Sequence, residues 1–171
     1  ACHQAVKLKP GDSRFKQHLQ IAQSESDGEA ENATARIMQL LQRERNEEAV
    51  ELLGNQPPGK IRDLLEGFAY AKRGDYAEAK KCLNRCSASE YATIASYYLG
   101  LIYAHEARFP SAMKNLEVAM TEPSLKNACQ PILLGVYRRQ GMKYIQSGEP
   151  DKANRLWNKI ARLDPQDVAA D

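Results

Sequence analysis

Along much of the chain, apolar positions follow one another at steps of three and four, the spacing of a helix face. Short residues recur among them at fixed intervals. Gly67, Tyr70, Ala79, Leu83 and Cys86 form one set. Gly100, Tyr103, Ala112, Leu116 and Ala119 form a second, and Gly141, Tyr144, Ala153, Trp157 and Ile160 a third. The steps within each set are 3, 9, 4 and 3 residues. This recurrence predicts pairs of helices, the first two positions on one helix and the last three on the next. Gly67 or Gly100, lacking a side chain, lets the second helix approach closely, and Ala79, Ala112 and Ala153 do the same from the other side. Tyr70, Tyr103 and Tyr144 fill the remaining space. Leu83, Leu116 and Trp157 are expected to pack against the next repeat. One pair cannot bury its apolar face alone, whereas a stack of pairs can.

The turn signals agree. Lys72-Arg73-Gly74-Asp75-Tyr76 reads as a helix end, a glycine stop and an Asp N-cap. Ser147-Gly148-Glu149-Pro150-Asp151 repeats that logic, with Pro150 opening the next helix. Arg108-Phe109-Pro110-Ser111 holds the same place in the middle set. The register extends backwards: Leu40, Ala49 and Leu53 match Tyr70, Ala79 and Leu83 at an offset of 30. Another pair is therefore predicted from Glu29 to Leu53, with Ile37 in the glycine place. Cys2, Ala5 and Pro10 match Trp157, Ile160 and Pro165, and Gly11-Asp12 opens a predicted helix to Gln23. Without an initiator Met, the chain reads as a fragment that starts inside a repeat. Ser24 to Asn32 is a polar run and the expected flexible joint.

These columns resemble the tetratricopeptide repeat (TPR) family: a small Gly, then Tyr, Ala, a large apolar residue and Pro. The second set matches best, and Trp157 leads to Pro165 at the family's spacing. The family's first aromatic is missing, with Asp63 and Ser96 in its place. Pro123 comes one residue early, and Tyr91 replaces the proline of the first set. Gly100 and Gly141 are 41 residues apart, against a family period of about 34. The surplus, Thr121 to Arg139, predicts an extended first helix starting near Pro131. The resemblance implies an all-α fold, a TPR-like right-handed superhelix of antiparallel helix pairs (an α-solenoid). Its organisation would be the end of a preceding repeat and one helix at 1–23, a polar linker at 24–32 and a degenerate repeat at 29–59. Full repeats follow at 60–93 and 93–126, and a repeat with an extended first helix and a tail at 127–171.

In such proteins the first helices of successive pairs line a concave face. By register the lining residues are Met38, Leu41, Leu64, Phe68, Lys72, Tyr97, Leu101, His105, Arg138, Met142 and Gln146. So apolar a face implies a groove for a partner's amphipathic helix or extended peptide. The alternative is a structural or self-associating module whose groove is filled by its own chain. A chaperone-type carboxylate clamp needs Lys and Asn at set positions. Here those positions hold Thr34, Met38, Leu64, Phe68, Tyr97 and Leu101, which cannot pair with a carboxylate. Small bacterial secretion chaperones resemble the chain in their repeats but tend to be acidic.

Charge and chemistry change this picture little. The formal net charge is +2 and the pI about 8.3, which favours neither nucleic acid nor membrane as main partner. No stretch has the apolar length of a membrane span. Ala1 to Asp12 lacks a signal-peptide core. Reduced thiols fit a cytoplasmic location. Ser24 to Glu51 carries eight acids and three bases, and Lys114 to Arg162 nine bases and four acids. That split suits an acidic partner or a head-to-tail homo-oligomer. Cys82 and Cys86 share a helix face and read as small core residues; a redox pair or half a metal site needs tighter spacing or a nearby His. His105, at a helix end, is the one candidate base, and no nucleophile elbow or phosphate loop accompanies it. No enzyme, cofactor or metal is expected. An RNA-binding repeat, stacking bases on Tyr91, Tyr97, Tyr98, Tyr103 and Tyr137, is a further alternative.

Overall fold

The structure, a computed structural model, describes residues 28–165. The readings placed on 1–23 and on the first part of the polar run lie outside these residues. Among the described residues there are eight helices and no strand. They are α1 (Gly28–Gln42), α2 (Asn46–Gly54), α3 (Lys60–Arg73), α4 (Tyr76–Arg85), α5 (Ala92–His105), α6 (Phe109–Ala119), α7 (Pro123–Gln146) and α8 (Pro150–Leu163). The described residues divide into two compact units, the first ending at Tyr98 and the second beginning at Leu99, inside α5. In the first unit α1 packs on α2, α2 on α3, and α3 on α4. In the second, α6 packs on α7 and α7 on α8.

The recurring columns have a common geometry. A Cβ added at Gly67 would lie 2.6 Å from Leu83 Cγ, and one at Gly100 2.6 Å from Leu116 Cγ. At Gly141 the nearest atom would be Trp157 Cζ2, at 3.0 Å. Leu83, Leu116 and Trp157, expected to face the next repeat, each sit on the glycine of their own pair. A bare backbone leaves a hollow that the large side chain opposite fills, because interiors pack without voids. Ala79, Ala112 and Ala153, on the second helix of each pair, are fully buried. In the α1–α2 pair Ile37 holds the glycine place and is itself buried, as is Leu53.

The first helix of every pair also ends in one way. Gly74 adopts φ +88°, its N–H reaching Ala71 O and the Asp75 N–H reaching Tyr70 O. This is the paired-bond stop that left-handed residues make at helix ends. Gly148 repeats it at φ +74° with Ile145 O and Tyr144 O. Glu44 (φ 60°) and Ala107 (φ 56°) make the same two bonds without being glycine. The four stops lie four residues after Leu40, Tyr70, Tyr103 and Tyr144, so the register read backwards to α1–α2 is a structural one.

Three expectations need correction. Asp75 stands at the N-cap of α4 but its side chain caps no N–H. The carboxylate pairs instead with Arg73 Nη2 at 3.1 Å. Pro131 does not open α7, which starts at Pro123 and carries Pro131 in its interior. Pro131 and Asn127 are both exposed, so water can satisfy the carbonyl that the missing N–H leaves. Residues 28–32, read both as the end of the polar joint and as the start of the pair predicted from Glu29, belong to α1, because Glu29, Ala30 and Glu31 are strong helix formers.

Asp63 anchors a polar seam between α3 and α4. Arg85 Nε donates to Asp63 Oδ1 at 2.6 Å, and Arg85 Nη2 to Glu66 Oε2 at 3.3 Å. Arg62 Nε donates to Glu66 Oε1 at 2.9 Å, and Lys60 Nζ to Arg85 O at 2.8 Å. These directed bonds flank the packed core of the pair.

Candidate functional site

The residues assigned to the groove fall into three groups. Leu41, Leu64, Phe68, Tyr97 and Leu101 are buried, none more than 9% exposed. They belong to the core and offer no open apolar surface. Phe68 meets Tyr98 edge-on at 5.0 Å between centroids, and Tyr98 meets Tyr97 at 5.3 Å. Met38 and Lys72 are half-buried, while His105, Arg138, Met142 and Gln146 are exposed. For Tyr97 and Leu101 the physical reason is local: α5 is apolar on nearly every side, and such a helix is enclosed rather than solvent-facing. Spacing shows which residues share a face but not what else covers it.

Lys72 is notable within the first unit. Its Nζ is buried and has no hydrogen-bond partner among the described residues, and it lies 5.9 Å from the centre of the Phe68 ring. Burial lowers its pKa below the usual lysine range, and the charge of Glu44 works the other way.

Among the described residues, the large apolar side chains that remain exposed lie in the second unit. Met142 is 52% and Ile145 48% exposed, both in the last turns of α7, and Val118 is exposed on α6. Arg138, one turn before Met142, shares its face. Ile145 was not among the sequence candidates, although its step of three from Met142 is a readable sign.

The second unit also holds a cleft of about 280 Å³ lined by Glu117, Met120, Leu133, Tyr137, Lys159, Arg162 and Leu163. Lys159 Nζ and the Tyr137 hydroxyl both donate to Glu117 Oε1, each at 2.6 Å. Lys159 lies 5.4 Å above the Tyr137 ring. Burial pushes the Glu117 carboxyl up, but the bonds from Lys159 and Tyr137 outweigh it and hold the group below the usual carboxylate range. Burial first, and then Glu117, raise the Tyr137 phenol well above its ordinary value. Gln130 Nε2 donates to Leu163 O at 2.8 Å, tying the end of α8 to α7. No sequence motif links these residues. The steps of three, four and three between Lys152, Arg155, Lys159 and Arg162 are the one signal that would have pointed here.

The other candidates resolve plainly. Cys82 and Cys86 are buried free thiols, each pushed up to about 11 chiefly by burial. Arg85 Nη2 donates to Cys82 Sγ at 3.2 Å. Among the described residues no three His, Cys, Asp or Glu side chains group as a metal site, and no helix is long and apolar enough to cross a membrane. Of the tyrosines named as stacking platforms, Tyr91, Tyr97, Tyr98 and Tyr137 are buried. Tyr103 is half-buried with the Arg108 guanidinium 4.9 Å from its centre. No family model, curated protein or solved structure matches the chain.

Proposed function

We propose that the chain is a TPR-type α-solenoid segment that works as a non-catalytic scaffold or adaptor, docking a peptide or helix of a partner protein. The observation that carries the reading is the strip formed by Arg138, Met142 and Ile145. It places two exposed apolar side chains at or beside predicted lining positions. Exposed large apolar residues set beside a charged one fit an interface better than a solvated helix end. The docking surface is thus narrower than the sequence suggested and centred on the end of α7. Recurrence of one helix-pair geometry supports the solenoid part of the reading, since such pairs stack to make extended surfaces.

Replacing Met142 and Ile145 together by Glu tests it. Folding should be intact, because both side chains are exposed, while a co-purifying protein partner should be lost. Retention of that partner by the doubly substituted chain would overturn the docking strip. Burial of Leu41, Leu64, Phe68 and Leu101 favours one second reading, a structural module whose groove is closed by its own chain. Under it, no surface substitution, the Met142 and Ile145 pair included, changes association.

A further inference from the structure

We propose that the cleft between α6, α7 and α8 is a second docking site. Its occupant is a peptide segment of a partner protein bearing one large apolar side chain next to an acidic residue. Size sets the first condition. About 280 Å³ is slightly below the range of small-molecule pockets and suits a single Leu, Phe or Trp side chain. The lining sets the second. Half-buried Met120 and Leu163 form apolar walls over a floor of buried Leu133 and Tyr137, so an apolar side chain gains by leaving water.

Charge sets the third. The cleft holds one carboxylate and two cations. Glu117 is already matched by Lys159 and bonded by Tyr137. Arg162 makes no hydrogen bond or ion pair among the described residues, and it is exposed at the cleft edge. Its guanidinium is therefore the uncompensated charge, and its planar fork suits a carboxylate bidentately. Lys152, Arg155 and Lys159 share its face of α8, and a basic stripe of this kind steers acidic segments towards the site. A purely apolar occupant would leave Arg162 unmatched, and a basic one would be repelled. None of the lining residues belongs to the Arg138–Met142–Ile145 strip, so this site stands apart from the function proposed above.

The test is fluorescence anisotropy of the full chain with a short labelled peptide carrying one tryptophan flanked by glutamates. Two control peptides replace the tryptophan by alanine or the glutamates by lysine. Saturable binding is expected for the first peptide alone, weakening as salt rises. Arg162→Glu and Met120→Glu should each weaken it about tenfold or more. Arg155→Glu, the same charge change on α8 outside the cleft, should weaken it by no more than about threefold. Should the reversal at Arg162 lower the melting temperature, Arg162→Gln keeps most of the stem and reports on the charge alone. The Met142→Glu, Ile145→Glu chain should bind the peptide unchanged, so this site and the α7 strip fail independently. No saturable binding would overturn the proposal. So would equal binding of the alanine peptide, or equal losses from Arg155→Glu and Arg162→Glu.

Discussion

Two residue types decide how these helices meet: the glycine that gives way and the side chain that fills the hollow. At Gly67 and Gly100 an added Cβ would fall within 2.6 Å of a leucine Cγ, with that leucine's backbone nitrogen close behind. Neither atom is the free end of a flexible chain, so the helices themselves must move. Gly67→Ala and Gly100→Ala should each cost about 1–3 kcal/mol, read as a lower midpoint in urea. Gly141→Ala, facing the edge of Trp157 at 3.0 Å, should cost less. The helix stops point the other way. Ala107 sits at positive φ where glycine would be unstrained, so Ala107→Gly should stabilise by about 1 kcal/mol. The thiols of Cys82 and Cys86, buried and raised to about 11, should resist iodoacetamide at neutral pH until the protein unfolds. Rapid alkylation of the native chain would show that this core is open.

Among the elements, α7 has the least regular sequence. It carries Pro131 in its interior, at an exposed point where nothing in the fold requires it. Pro131→Ala should restore a backbone bond and raise stability, by up to about 3 kcal/mol. The seam joining α7 to α6 and α8 responds to acid. The folded Glu117 carboxyl lies below its ordinary 4.5, so its contribution is complete above that value and is lost as pH falls through the lower folded one. Between about pH 6 and pH 3 the melting temperature of the wild type should therefore fall further than that of Glu117→Gln. Equal slopes would mean that Lys159 and Tyr137 do not hold the carboxylate. The seam was illegible in sequence because Glu117, Tyr137 and Lys159 share no motif or period. The last three helix pairs were legible because each imposes the same demand for a short residue at the same step. Of the positions assigned to the groove, the register could not show that Phe68 and Leu101 are buried, because burial depends on packing that no local spacing records. Pro131 misled for a related reason: proline usually marks a helix start, and only its exposed setting lets α7 run through it.

For the whole molecule, charge and repetition matter most. Glu44, Glu47, Glu48 and Glu51 are exposed in and around α2, and Lys152, Arg155, Lys159 and Arg162 on α8. If copies associate head to tail through these surfaces, that association should fade as salt is raised from about 0.05 to 0.5 M, which sedimentation velocity would read directly. A sedimentation profile independent of salt would assign those charges to solvation alone. Repetition carries the larger claim, that one nested seat, glycine against a large apolar residue, builds each of the last three pairs. Double-mutant cycles in urea at Gly67 with Leu83 and at Gly100 with Leu116 test it most directly. If the seats are real, shortening the leucine to alanine relieves the added Cβ, and each cycle shows a coupling of about 1 kcal/mol or more. Additive losses at both sites would mean that these side chains do not meet, and the repeated helix pair would fail with them.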